Sequence, residues 1–337
     1  MSRVKLGDVA QEYKATVKDC SNLPIVGLEH LTPGEITLER WDEGTENTFT
    51  KGFKKGQMLF GRRRAYLKKA AVAPFDGVCS GDITVIEAIP GKILPELLPF
   101  IIQNDLLFDY AVGKSAGSLS PRVKWVDLKD YEFELPEIEK QASLVDLLKA
   151  AHATRKAYQE QIKATDDLVK SQFIEMVGKA TSSDKLLNHV DVLYGFPFNS
   201  KLFNNNGEGL PLLRIRDINT GLSDTFTTEQ ADEKYIVSDG DCLVGMDGNF
   251  EIVKWNHGSA YLNQRMCKFT PIDIQREYMM YFLRLKLKEI ESVANSTTVK
   301  HLSAKDINGI EIPIVDDAAQ LWFEEFSIQS DKSKFVV

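Results

Sequence analysis

The 337-residue chain is poor in the residue patterns on which most catalytic and secreted proteins depend. Its four cysteines, Cys20, Cys79, Cys242 and Cys267, lie far apart and form no C-x-x-C pair. That spacing argues against a disulfide framework or a thiolate metal site, and for reduced core residues in a cytoplasmic protein. No run approaches 18 apolar residues, so no transmembrane helix and no membrane partner are expected. The opening MSRVKLGDVAQEY lacks the apolar segment of a secretion signal. The five histidines show no metal-ligand spacing. No G-x-G-x-x-G opens a helix, and no Asn/Asp-Pro-Pro-aromatic tetrad is present for base methylation. The tempting GKS at Gly113–Ser115 fails as a phosphate loop, because Phe108 stands where that loop needs glycine. The expectation is a chain without catalytic residues, metal or cofactor of its own.

Glycine and proline are also missing from one long stretch, Glu137 to Val177. Pro136 before it and Gly178 after it are ordinary helix-boundary residues. About 40 residues at ~1.5 Å each predict a rod of roughly 60 Å. An imperfect heptad runs along it through Leu144, Leu148, Tyr158, Ile162 and Val169, widened by Phe173. A compact domain does not need such a rod; a spacer does. Near the end of the chain a shorter helix is expected from Asp316, with Trp322 and Phe326 apolar.

What is present is written twice. "LKDYEFELPEIEKQ" (Leu128–Gln141) resembles "AKDINGIEIPIVDDAAQ" (Ala304–Gln320), with Pro136 set against Pro313. "LPIVGLEHLTPGEI" from Leu23 resembles "LPLLRIRDINTGLS" from Leu210. Phe53–Ile86 resembles Val237–Phe269, with Gly56 against Gly240 and Gly61 against Gly245. The offset drifts slowly while the order is kept, as expected for two copies of one domain that differ in loop lengths. Short apolar runs bounded by Gly and Pro read as strands, and Leu94–Tyr110 and Ile274–Val293 have helical spacing. The fold class expected is α+β. Two tandem similar domains, 1–136 and 185–313, are separated by a coiled-coil-type spacer helix at 137–178 and a linker at 179–184. A short helix at 314–337 closes the chain.

Net charge is −8, but its distribution is uneven. From Lys51 to Phe75 there are eight basic residues and no acidic one. Such a run costs self-repulsion unless it serves a polyanion. Arg62, Arg63, Arg64 and Tyr66 are candidates to approach DNA bases, since the arginine fork matches guanine O6 and N7. Lys54, Lys55, Lys68 and Lys69 are candidates for phosphates. The polar loop Lys114–Trp125 adds Ser115, Ser118, Ser120, Arg122 and Lys124. Its counterpart in the second copy holds Ser296, Thr297, Thr298 and Lys300. The second copy has fewer cations. There the candidates are Arg214 and Arg216, then Asp247 and Asn249, then Asn263, Gln264 and Arg265; Asn and Gln suit adenine. Solvated charged hairpins and plain strand-connecting turns remain the bland alternatives.

Two duplicated domains, each followed by a helix, resemble the specificity (S) subunits of type I restriction–modification enzymes. The carriers are the paired phrases above, "LPLLRIRDI", "GDCLVGMDGNF" with "LNQRM", and "FEEFSIQSDKSKF". The resemblance implies two target recognition domains reading the halves of a split sequence in double-stranded DNA. It implies a helical ruler that docks two methyltransferase (M) subunits and, through them, restriction (R) subunits in defence against foreign DNA. S-adenosylmethionine, ATP and Mg²⁺ would then sit on those partners. Leu144, Leu148, Tyr158, Ile162, Val169, Phe173, Trp322 and Phe326 would be the partner-binding face. The second helix departs from the family pattern in being short. A coiled-coil assembly scaffold that does not bind DNA, and a self-sufficient nuclease or methylase, are the competing expectations.

Overall fold

A computed structural model of the chain describes residues 2–20, 22–44, 48–293 and 300–333. The chain divides into two units, Met1–Tyr158 and Gln159–Val337. Helix and strand mix in both, as the α+β expectation requires.

The first unit is built on an antiparallel four-stranded sheet, in the order Ala10–Glu12, Ile83–Ala88, Met58–Gly61, Ala70–Val72. A second sheet pairs Ile25–Val26 in parallel with Gly77–Cys79, which pairs antiparallel with Lys51–Phe53. The chain start, Ser2–Lys5, pairs antiparallel with Glu132–Leu135. The second unit repeats the scheme. Its four-stranded sheet runs Val190–Tyr194, Met266–Pro271, Cys242–Gly245, Ile252–Lys254. Leu210–Leu213 pairs in parallel with Ala260–Leu262, and Ser182–Lys185 pairs antiparallel with Glu311–Ile314. The duplication therefore begins earlier than the paired phrases indicate: "VKLGDV" at Val4 and "DKLLNHV" at Asp184 each lead from the edge pair into the main sheet.

One α-helix spans Ile138–Val177. Its start supplies Val145 to the core of the first unit, with Leu144 and Leu148 packed against the same core. Its end supplies Val169, Phe173 and Met176 to the core of the second unit, where Phe173 meets Tyr278 and Phe323 at 5.7 and 5.2 Å between ring centroids. Tyr158 and Ile162 are exposed. Four of the helix residues expected to face partners, Leu144, Leu148, Val169 and Phe173, thus spend their apolar surface on the chain's own cores. Phe326 likewise packs against the second core, on the closing helix Asp317–Ser333. Trp322 stays half-exposed, stacked on Phe326 at 5.3 Å.

Two further expectations shift. Leu94–Tyr110 is not one helix but two, Leu98–Ile102 and Asp105–Gly113. Gln103 breaks it, because its side-chain amide donates to the backbone oxygens of Glu35 (2.5 Å) and Ala70 (2.7 Å), and Asn104 caps the second helix. And Pro136 does not correspond to Pro313. The buried Gln141 donates to Pro136 O at 2.9 Å, and the buried Gln320 donates to Val315 O at 2.8 Å. Pro136 and Val315 therefore occupy the same place. The final glutamine of each repeated phrase is its most informative letter: Oε1 of Gln141 accepts from Leu94 N (2.8 Å), and that of Gln320 from Gln275 N (2.9 Å).

Candidate nucleic-acid interface

The basic run of the first unit is a loop at the end of the central hairpin. Met58–Gly61 pairs with Ile83–Ala88 as far as Gly61 opposite Ile83. Beyond that point Arg62 N donates to Asp82 O (2.9 Å), Val123 N donates to Arg62 O (3.0 Å) and Arg64 N donates to Pro121 O (2.8 Å). Arg63 stands opposite Arg122. The polar loop Lys114–Trp125 is thereby stitched to GRRRAYLKK, two segments the sequence shows only as separate candidates. Arg64 (φ 54°) and Lys68 (φ 50°) bracket the turn Ala65–Leu67. They are the only non-glycine residues in the left-handed region among the described residues. Such a conformation costs on the order of 1–2 kcal/mol per residue and concentrates at functional loops.

The expectation of eight unbalanced positive charges does not hold in three dimensions. Lys51 meets Glu12 (3.7 Å), Lys54 meets Asp76 (2.8 Å), Lys68 meets Asp105 (2.6 Å) and Arg63 meets Asp82 (3.4 Å). The acids come from outside the run, which is why the run looks bare. Lys69 donates to Leu28 O at 2.7 Å. Lys55, Arg62 and Arg64 make no ion pair among the described residues, and Arg62 Nε is buried without a hydrogen-bond partner. Tyr66 is exposed.

Asp82 organises the cationic centre. Its Oδ1 accepts from Arg122 Nε at 2.7 Å and its Oδ2 from Arg122 Nη2 at 3.3 Å. Arg63 Nε donates to Ser120 Oγ at 2.5 Å. The Arg122 hydrogen bond holds the Asp82 carboxyl below the usual carboxylate range, with the Arg63 charge adding to it. Ser115 is turned inward to Ala111 O (2.8 Å), whereas Ser118 and Lys124 are exposed.

The second unit carries the same junction. Cys242–Gly245 pairs with Met266–Pro271 as far as Gly245 opposite Met266. Then Met246 N donates to Arg265 O (2.9 Å), Leu302 N to Met246 O (2.7 Å) and Gly248 N to Lys300 O (3.0 Å). Asp247 stands opposite His301. Its Oδ1 contacts His301 Nδ1 at 2.6 Å, and its Oδ2 lies 3.6 Å from Arg265 Nη1. Asn249, Gln264 and Arg265 are exposed at this end, and Asn263 is half-buried. Arg214 and Arg216 follow the neighbouring strand and both pair with Asp224, at 3.7 and 2.6 Å. Ile215 between them packs under Gly245: a Cβ built there would lie 3.2 Å from Ile215 Cγ2. Lys300 Nζ pairs with Glu291 at 3.0 Å. Ser296, Thr297 and Thr298 lie outside the described residues.

Asp82 and His301 belong to these clusters although no sequence motif marks them. The one signal is positional: "SGD" precedes the returning strand in the first copy where "NQR" precedes it in the second. Among the described residues no group of three His, Cys, Asp or Glu side chains could hold a metal, and no helix is long and apolar enough to cross a membrane.

Part of the chain is similar in sequence, and the whole of it in fold, to type I restriction–modification specificity subunits. Residues 191–321 match the Type I restriction modification DNA specificity domain. The four-stranded sheet of the first unit has the same strand arrangement as that of the second, which contains the matched residues.

Among individual proteins, the chain is similar to the type I restriction enzyme EcoBI specificity subunit of Escherichia coli. The two are 37% identical over 144 residues, which are 41% of this chain and 29% of that one. The chain thus spans less than a third of that curated relative. The type I restriction–modification S subunit from M. genitalium shares the fold at TM-score 0.54 and 11% identity, over 99% of this chain and 90% of that one. A chain solved in work on complex assembly and conformational transition of the type I R-M system shares it at TM-score 0.53 and 20% identity, over 99% and 91%.

Proposed function

We propose that this chain is the DNA-reading, non-catalytic subunit of a type I restriction–modification complex, in which each unit reads one half of a split target in double-stranded DNA. One observation carries it: a polar, cation-bearing junction of three chain segments occurs twice, at the same place in two copies of one domain. Residues 1–136 and 185–313 would be the two recognition domains. Arginine forks suit guanine edges, lysines suit phosphates, and the exposed Asn249 and Gln264 suit adenine.

The helix Ile138–Val177 would set the spacing between half-sites and dock two methyltransferase subunits, which in turn carry the restriction subunits. With Leu144, Leu148, Val169 and Phe173 committed to cores, docking falls to the exposed Tyr158, Ile162 and Trp322. S-adenosylmethionine, ATP and Mg²⁺ would belong to those partners, and the working compartment would be the cytoplasm.

The test is direct. The full chain is used to capture its methyltransferase subunit, and DNA binding is measured at two salt concentrations. Binding that weakens steeply with salt, by roughly one phosphate contact per unit of log–log slope, is expected. A chain that captures no methyltransferase and binds no DNA is not a specificity subunit. Incubating the chain alone with DNA, Mg²⁺ and S-adenosylmethionine should give neither cleavage nor methylation.

A further inference from the structure

The two junctions share three backbone hydrogen bonds and one bridge at equivalent positions, and their charged side chains are permuted. The hydrogen bonds make Arg63 equivalent to Asp247, Asp82 to Arg265, and Arg122 to His301. Each triad has one carboxylate and two nitrogen-bearing side chains. In the first unit the carboxylate sits on the returning strand's turn and holds two guanidinium forks, Arg63 and Arg122. In the second it sits on the outgoing strand's turn and holds one fork, Arg265, and one imidazole, His301.

The carboxylates are mostly covered, with side chains 20% and 26% exposed, while the groups they hold are open: 39% for Arg63, 40% for Arg122, 59% for Arg265 and 46% for His301. A guanidinium has five N–H donors. Arg63 uses its Nε on Ser120 and its Nη1 on Asp82, so most of its donors are uncommitted. Asp82 is a covered anion that fixes exposed donors by hydrogen bonds, while Asp247 holds His301 at 2.6 Å and draws Arg265 to 3.6 Å as an ion pair. A bidentate contact needs that fixing, because a free arginine loses rotamer entropy when it binds.

We infer that Asp82 and Asp247 are positioning residues for base recognition, and that the permutation of charge between equivalent positions makes the two half-sites different. The inference rests on the DNA-reading function proposed above. Two fixed forks in the first unit select guanine at two positions of the first half-site. One fork in the second selects guanine at a single position, with the imidazole beside it reading another base. Neither aspartate touches the base itself. Each acts through the groups it orients.

The experiment is selection of duplexes from a random pool by the full chain, with half-site preferences read by sequencing, and salt-dependent affinity for a non-cognate duplex measured in parallel. Asp82→Asn removes the anchor and adds one net positive charge. It should reduce guanine enrichment in the first half-site by about tenfold or more. The second half-site should be unchanged, and non-cognate affinity should be equal or higher. Asp247→Asn should do the reverse, relaxing the second half-site alone. Should Asp82→Asn misfold, Arg122→Lys keeps the charge, lacks the fork, and should relax the same half-site.

A wild-type chain that enriches no sequence and binds no DNA overturns the DNA-reading function itself. Wild-type enrichment left intact by Asp82→Asn and Arg122→Lys overturns only the inference. So does equal loss of cognate and non-cognate binding, which marks a structural role. Loss of preference in one half-site with non-cognate affinity retained supports it.

Discussion

Replacing Gln141 with Met should loosen the first unit by about 3 kcal/mol while leaving the second untouched. Gln141 is 1% exposed and satisfies two backbone groups, Leu94 N at 2.8 Å and Pro136 O at 2.9 Å. Methionine keeps the volume and removes both hydrogen bonds. Each buried backbone group left without a partner costs roughly 1–3 kcal/mol, and the apolar gain of the methionine returns about 1 kcal/mol. The site ties the first turns of the long helix to the segment before Leu98–Ile102, so the loss is local. Native-state hydrogen exchange, read by mass spectrometry, resolves it. Peptides covering 138–158 and 94–102 should exchange about two orders of magnitude faster, and those of the second unit should not change. Gln320→Met should produce the mirror result through Gln275 N and Val315 O. A shift below about 0.5 kcal/mol in both variants would refute the reasoning, since that is the scale of ordinary surface substitutions. An equal shift in both units would do so too.

Other outcomes follow from the same structure. Tyr278→Phe should cost about 1 kcal/mol in urea unfolding, because the buried hydroxyl donates to Pro313 O at 2.6 Å. Phe173→Ala should cost ~3–5 kcal/mol, as it empties the aromatic centre formed with Tyr278 and Phe323. The Asp82 carboxyl is held low, so its contribution is present above the unfolded carboxylate pKa of about 3.9 and is lost as pH falls through the lowered folded value. Acid titration of the first unit should lose an Asp82-dependent component there, which Asp82→Asn abolishes. Burial pushes the thiols of Cys79 and Cys267 up to about 12 and that of Cys242 to about 11, while Cys20 is only half-buried. At pH ~8 an alkylating reagent should label Cys20 in the folded chain and the other three only after unfolding. Labelling of Cys267 in the native state would contradict its burial.

Much of the fold is legible because it depends on local chemistry. A stretch without Gly or Pro between Pro136 and Gly178 has one good conformation, and the helix Ile138–Val177 follows. Gly56 and Gly240 both take positive φ, 87° and 95°, in the turn before the outgoing strand, so the match between the copies has a backbone cause. The repeated phrases mark one more local necessity, a strand leading into a helix whose first turns hold a buried glutamine.

The rest was decided by partners distant in the chain. A basic run looks unbalanced until Asp76, Asp82 and Asp105 are folded against it. A heptad looks like a docking face until Val169 and Phe173 are seen to enter the second unit's core. Asp82 and His301 carry no motif, and only the backbone hydrogen bonds of the junction make them the counterparts of Arg265 and Arg122. Sequence by itself determined the duplication, the spacer helix and the turns, since φ/ψ preference and periodicity act over a few residues. Tertiary structure alone decided which charges meet and which apolar side chains stay exposed, because Coulomb and packing energies depend on distance in space rather than along the chain.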